Sequence, residues 1–490
     1  MSYRICASLI ATAAAASATS FSTAALRSRL TAKDAAHPLA APTPARVDFQ
    51  PGVRVSPLDY GADPLGVRDS APAFAQCIAA CVNYSVAIDS LGHFPGDASF
   101  DNGHYIANAG GCEIDLGGGE YLLSSPVVFP EYVGNMRLGH GSLVADDTPG
   151  VFPNSSFLII VGIPGSCKVP QGSCNVDLGF PELFLDGRAV ASGLQINNVM
   201  GTTVGPGLYA LNFSNYGIQI NQGHEVMIDR AWLGETNFDF QFTQAAPPRA
   251  TAIQINGNDH YVLHTVVFSA KVGLEVNGAA NFVSGTHVWF PRNQALAFVD
   301  EGVKAFHITQ SGNRFTGCYI DGSRAVFEGA ALGKNVWVNG FECCAGVPDV
   351  PHGILLLGDA VGNGLVITSN LFGGGTIFWQ PLTPGLPAPK SVSGTRIDSN
   401  SFSGNGAGTR ATTTTAVSGA TSTTLNFCAL LTFPVIDHVA AIVVAAENGF
   451  PTAVARAPVG CTVVVETSEP LEGNLTVTVD SSAPGGGYFV

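Results

Sequence analysis

Ile255–Phe290 reads INGNDHYVLHTVVFSAKVGLEVNGAANFVSGTHVWF. VLHTVVF, from Val262, and FVSGTHVWF, from Phe282, alternate apolar residues with small or polar ones, so each turns one face inward as a strand does. Between them stands GLEV at Gly273, and runs of the same kind recur on both sides: GLQI at Gly193, GIQI at Gly217, AIQI at Ala252, ALAF at Ala295, AVFE at Ala325 and GILL at Gly353. Successive starts lie 24, 35, 21, 22, 30 and 28 residues apart. A period in the range of roughly 20–50 residues, with insertions of uneven length, marks a solenoid of stacked coils whose insertions are external loops. A second run follows inside each coil, as FTGCYI (from Phe315), VWVNGFE (Val336), LVITSNLF (Leu365) and RIDSNSF (Arg396) show. Asn370 and Asn400 fall at matching places in SNLF and SNSF, where stacked asparagines would satisfy turn amides. The leucine spacing of leucine-rich repeats is absent.

Composition agrees with this reading. Of 490 residues only 12% are charged, while 58 are Gly and 30 are Pro, which suits short strands and tight turns better than helices with solvated faces. The net charge of −15 excludes a nucleic-acid partner, which needs clustered Lys and Arg. It also means that an anionic substrate must be attracted by local basic side chains or a cation.

The first 26 residues read as a signal peptide: Arg4 begins it, an apolar run spans Ile5 to Leu26, and small residues such as Ala14, Ala15, Ala16 and Ala18 suit cleavage. The run is too rich in Ala and Ser for a membrane span. Loss of Cys6 with this segment would leave ten of the 11 cysteines, an even number that fits disulfides. Cys167–Cys174 and Cys428–Cys461 are the local pairs, while Cys77, Cys81 and Cys112 form one group and Cys318, Cys343 and Cys344 another. Sequons at Asn83, Asn154, Asn212 and Asn474 fit a secreted glycoprotein. Residues 27–50 are an Ala/Pro-rich linker, 51–410 the solenoid, and 411–490 a small antiparallel β domain. The last begins with a Thr/Ser-rich stretch and continues with strands at Ala429–Pro434, His438–Ala446, Cys461–Thr467 and Asn474–Val479.

The solenoid opens with VSPLDYGADPLGVRDSAPAFAQCIAA from Val55, a strand followed by Tyr60-Gly61-Ala62-Asp63 and a short amphipathic helix. This resembles the opening motif of pectin-lyase-fold proteins, and GGGEYLLSSPVVF (Gly117–Phe129) resembles their first rung. GIQINQGHEVMIDRAWLGE (Gly217–Glu235), the Ile255–Phe290 stretch, NRFTGCYID (Asn313–Asp321) and the C-terminal LLTFPVIDHVAAIVV and CTVVVETSEPLEGNLTVTV resemble the quartet-type polygalacturonase-like family. The resemblance runs from Val55 to Val479. It implies an all-β fold, a right-handed parallel β-helix with a helix capping its open end. It implies a secreted cell-wall hydrolase acting as a monomer on a pectin-type polysaccharide. No membrane, organic cofactor or metal partner is implied.

Galacturonosyl hydrolysis needs one carboxylic acid to protonate the leaving oxygen and one carboxylate to activate water. The Asn-x-Asp, Asp-Asp, Gly-His-Gly and Arg-Ile-Lys motifs of typical polygalacturonases are not found. The corresponding places read Asn215-Tyr216-Gly217, Pro-Pro-Arg249-Ala-Thr and Ala270-Lys271-Val272. The nearest candidates are Glu225 and Asp259, in like turns one coil apart, with His224 and His260 beside them. One carboxyl of such a pair stays protonated through its neighbour's charge. Asp239, in the insertion that also supplies Glu235 and Arg249, is an alternative acid. Lys271, His287 and Arg249 are candidates to hold a uronate carboxylate. The same residues serve equally as ordinary turn residues. A calcium-dependent lyase is a second reading, with Asp146-Asp147 as the one Asp pair, and a wall-binding protein without activity is a third. In the last, Trp232, Trp289 and Trp379 would stack on sugar rings.

Overall fold

The computed structural model describes residues 53–88, 106–165, 167, 173–235, 249–290, 302–343, 353–403, 407–446 and 451–481. The signal segment and the Ala/Pro-rich linker lie outside the described residues, as does ALAF at Ala295.

The repeats fold into a parallel β-helix whose coils each contribute to three parallel sheets. The first strand of a coil joins sheet I, ten strands running from Val127–Phe129 through Tyr216–Asn221, Thr251–Ile255, Val272–Val276, Lys304–Ile308 and Arg324–Glu328 to Thr376–Gln380. A turn leads into sheet II, as at Tyr261–Leu263, and a two-residue corner leads into sheet III, as at Val266–Phe268. The second run of each repeat is therefore two strands and not one. The corner that divides it places its first residue in the left-handed region, at Arg230 (φ 49°), His264 (φ 49°), Gly285 (φ 60°), Gly317 (φ 60°) and Ser369 (φ 60°). At Arg230 and His264 no glycine announces the bend, so the sequence hides it.

Register alignment stacks like on like. Leu194, Ile218, Ile253, Leu274 and Phe306 form one inward column of sheet I, all fully buried. Asn370 and Asn400 stack as the sequence indicates: Asn400 Oδ1 accepts from Asn370 N at 3.0 Å and from Asn370 Nδ2 at 2.9 Å. A second asparagine ladder, Asn281–Asn313–Asn335, runs through the turns from sheet I to sheet II.

The opening motif works as a cap. Asp63 accepts from the backbone N–H groups of Leu65, Val67 and Arg68, which hold its carboxyl below the usual range against a small opposing effect of burial. Asp69 receives the Ala71 amide at the start of helix α1, Ala71–Ile88. Phe74, Cys77, Ile78 and Cys81 face the solenoid interior, covering edge groups that would otherwise stand open. Bridges join Cys81–Cys112, Cys167–Cys174 and Cys428–Cys461. Cys77 and Cys318 are buried free thiols, so an even number of cysteines did not mean complete pairing.

The C-terminal sheet is antiparallel and has its own apolar cluster, built around Phe427, Val463, Leu475 and Val477. Its first strand is the Thr/Ser-rich stretch itself, Arg410–Asn426, paired along most of Thr462–Asp480. Cross-strand hydroxyl pairs Thr412–Thr478 and Thr414–Thr476 explain why threonines suit this strand. Ala429–Pro434 forms a turn and an isolated bridge instead of the expected strand, and Cys461–Thr467 and Asn474–Val479 belong to one long strand.

One carboxyl lies inside the solenoid. Glu342 aligns with Ile320 and Phe372, both core residues, and is 3% exposed. Its Oε2 accepts from Gly375 N at 2.9 Å. Burial pushes its carboxyl up from 4.5 to about 7, beyond the opposing backbone hydrogen bond from Gly375. The folded state thus favours the protonated form. Stability from this group is fully present below about pH 4.5 and is lost as pH rises through about 7. Glu342→Gln is expected to remove roughly 3 kcal/mol of pH-dependent stability loss across that window. Unfolding midpoints of the two proteins at pH 5 and pH 8 check this; parallel behaviour would refute it.

Candidate functional site

In IQIN and LEVN the isoleucines, leucine and valine go inward, so Gln and Asn must go outward. Register then aligns Gln195, Gln219, Gln254, Glu275 and His307 as one column on the outer face of sheet I. Gln195 Nε2 donates to Gln219 Oε1 at 2.8 Å, Gln219 Nε2 to Gln254 Oε1 at 2.7 Å, and Gln254 Nε2 to Glu275 Oε2 at 2.7 Å. A parallel column, Asn197, Asn221, Asn256 and Asn277, is joined the same way at 2.9–3.0 Å and ends at Thr309.

At the end of the glutamine column the chemistry changes. His307 stands between two carboxylates, with Nδ1 3.6 Å from Glu275 Oε1 and Nε2 2.9 Å from Glu328 Oε2. The His307 side chain is 14% exposed, Glu275 21% and Glu328 35%, so the trio is half-sheltered yet reachable. Hydrogen bonding from His307 lowers the Glu275 carboxyl despite burial, and Gln254 and Asn277 lower it further. Lys304 and Arg324 stand at the strand starts of the same two rungs. Burial lowers both, and Glu328 and Glu275 partly offset this at Lys304. Arg324 Nε is buried without a hydrogen-bond partner among the described residues. Lys271 lies beside Lys304, its carbonyl accepting the Lys304 amide at 2.9 Å. Beneath this surface, Phe306 and Phe327, chain neighbours of His307 and Glu328, interlock with Phe315 and Trp337 at ring separations of 5.1–6.2 Å.

The other candidates read from the sequence occupy different places. His224 and Asp259 are 3.2 Å apart in adjacent turns from sheet I to sheet II. Glu225 N donates to Asp259 O at 3.1 Å, so the two turns are in register, with Glu225 exposed. His260 is fully buried; Val226 N donates to its Nδ1 at 3.2 Å, and burial pushes the imidazole down to about 4. His287 lies on sheet III, stacked on Tyr319 at 4.1 Å, and burial pulls it to about 4 as well. It shares no face with Lys271. Glu235 accepts from the amides of Arg249 and Ala250 at 3.0 and 3.2 Å, closing the neck of the insertion, and burial raises its carboxyl. The Arg249 side chain is exposed there, and Asp239 lies outside the described residues. Asp147 pairs with Arg188 at 3.2 Å. Trp232 is exposed on sheet III, Trp289 stacks on Phe268 at 5.9 Å, and the Trp379 indole donates to Gly358 O at 2.7 Å. Glu275, His307, Glu328, Lys304 and Arg324 went unread. The signal was available: the residue between the two inward apolar positions runs Gln, Gln, Gln, Glu, His along the repeats.

No family model matches the chain. Polygalacturonase QRT3 of Arabidopsis thaliana is 29% identical over 462 residues, which is 90% of this chain and 87% of that protein. The chain is thus similar over most of its length to a polygalacturonase of the quartet type. Among solved structures, ORF18 of Geobacillus virus E2 is 13% identical to this polygalacturonase-like chain, with a TM-score of 0.44 over 87% of it and 76% of the other. A hyperthermoactive exopolygalacturonase from Thermotoga maritima is 11% identical, with a TM-score of 0.32 over 72% and 92%. Among the described residues of this polygalacturonase-like chain, no group of three or more His, Cys, Asp or Glu is placed to hold a metal ion. No described helix is long and apolar enough to cross a membrane.

Proposed function

We propose that the chain is a secreted hydrolase of a uronate-bearing cell-wall polysaccharide, with Glu275 and Glu328 as its carboxyl pair. The observation that carries this is the Glu275–His307–Glu328 trio on the outer face of sheet I, with Lys304 near enough to feel both carboxylates as well as Arg324 and Lys271. The relation to a polygalacturonase supports the substrate class. The alanine-rich N-terminus and the disulfides support secretion into the wall.

The two carboxyls divide the roles of base and acid. Glu275, its carboxyl lowered by hydrogen bonds, takes a proton from the attacking water. Glu328 gives a proton to the leaving glycosidic oxygen. Both carboxyls flank one imidazole, Glu275 at 3.6 Å and Glu328 at 2.9 Å. Lys271, Lys304 and Arg324 hold the sugar carboxylate at this one place, and the remainder of the column is uncharged amide. Local cations thus offset the unfavourable net charge.

Purified protein incubated with polygalacturonate is expected to generate new reducing ends without ultraviolet absorbance from unsaturated ends. Absorbance rising with the reducing ends would assign a lyase, with the half-buried Lys304 as the base for the C5 proton. Neither signal from a folded protein would contradict pectin cleavage and favour a binding role.

A further inference from the structure

We propose that Gln195, Gln219 and Gln254 form a polarised amide wire that positions Glu275 for its part in the reaction, Gln254 acting as a positioning residue. This rests on the hydrolase reading for its consequence, although not for its geometry.

The polarity of the wire is forced from one end. An ionised carboxylate only accepts hydrogen bonds. Gln254 must therefore turn its Nε2 toward Glu275, which it does at 2.7 Å. Its Oε1 is then the only group it can offer to the preceding rung, so Gln219 must donate in turn, and Gln195 after it, at 2.7 and 2.8 Å. The asparagine column runs in the opposite sense. Asn277 Nδ2 donates to Asn256 Oδ1, Asn256 to Asn221 and Asn221 to Asn197. Asn197 Nδ2 finally donates to the Val161 carbonyl at 2.9 Å. Each asparagine also donates across to the glutamine of its own strand, at 3.3 Å for Asn197, 3.2 Å for Asn221 and 3.0 Å for Asn256. The two columns thus lock each other's orientation, and hydrogen bonds aligned in series strengthen one another.

Protonating Glu275 would weaken the bonds that Gln254 and Asn277 donate to it, because a neutral carboxyl accepts less strongly than a carboxylate. The charged groups near Glu275 are His307, whose hydrogen bond acts together with those of Gln254 and Asn277, and Lys304. Only the amides carry the constraint onward from rung to rung. Substrate hydroxyls meeting this face encounter a fixed row of dipoles and not a set of freely turning side chains.

The test reads Glu275 directly. Protein labelled with carbon-13 at the glutamate side-chain carboxyl, with Glu275 assigned through Glu275→Gln, is titrated in the wild type, Gln254→Leu and Gln219→Leu. Gln254→Leu is expected to raise the Glu275 midpoint by about one pH unit. Gln219→Leu, one rung away, should raise it by less. The acid limb of kcat should move with each. An unchanged Glu275 midpoint in both folded variants would overturn the proposal. A shifted midpoint in a protein that cleaves no glycan would uphold the wire while removing the hydrolase reading.

Discussion

Glu275→Gln is expected to lower kcat on the cleaved glycan by about 10²–10⁴-fold, the usual contribution of a positioned acid or base, with KM little changed. The carboxylate sits at the end of the glutamine column and beside His307, so replacing it removes the water-activating charge while leaving an isosteric side chain in a half-exposed place. Glu328→Gln should lose comparable activity on the natural polymer but recover much of it on a substrate whose leaving group needs no proton. Glu275→Gln should show no such recovery. Steady-state kinetics on both substrates, with circular dichroism as a check on folding, separates the two roles. Equal recovery by both variants would contradict the assignment of base and acid.

Phe315→Ala is expected to cost about 3–5 kcal/mol of stability, as truncation of a fully enclosed aromatic does. Phe315 is 1% exposed and meets Phe306, Phe327 and Trp337, with centroids at 6.2, 6.1 and 5.2 Å. Edge-on and offset contacts of this kind add to the loss of buried area. Phe306 and Phe327 precede His307 and Glu328 in the chain, so a cavity here loosens the rungs that carry both groups. Activity should fall along with the denaturant midpoint, and Phe315→Leu should restore most of each. A change below about 1 kcal/mol would show that the cluster does not support the site.

These two residues mark what the sequence discloses and what it hides. The solenoid was legible because its apolar pairs recur at one place in every coil, as in Ile218 and Ile220, then Ile253 and Ile255. The Asn370–Asn400 stack was legible because identical SN pairs sit at identical corners. The division of each coil into three sheets was not, since Arg230 and His264 bend the chain without a glycine. The site was obscured for a related reason. The strand that pairs with Val272–Val276 is Lys304–Ile308, so counting ALAF at Ala295 as the next repeat leaves His307 out of the column. Contacts such as Gln219–Gln254 and Gln254–Glu275 join residues 35 and 21 positions apart, and only the register reveals them. Glu225 and Asp259 stand out in sequence because they sit in like turns one coil apart, which the structure places in register. The Thr-rich stretch from Arg410 became a strand because β-branched hydroxyls pair across an antiparallel ladder.

The most direct test of the account is the stereochemistry of the bond broken. Proton nuclear magnetic resonance, recorded in the first minutes of oligogalacturonide digestion, reports the anomeric form of the newly released reducing end before mutarotation. Glu275 acting as a base on water predicts inversion, with the β-anomer appearing first from an α-linked substrate. The α-anomer appearing first would require carboxyls only about 5–5.5 Å apart and a covalent intermediate, and would contradict the assignment of Glu275 and Glu328 as the reacting pair.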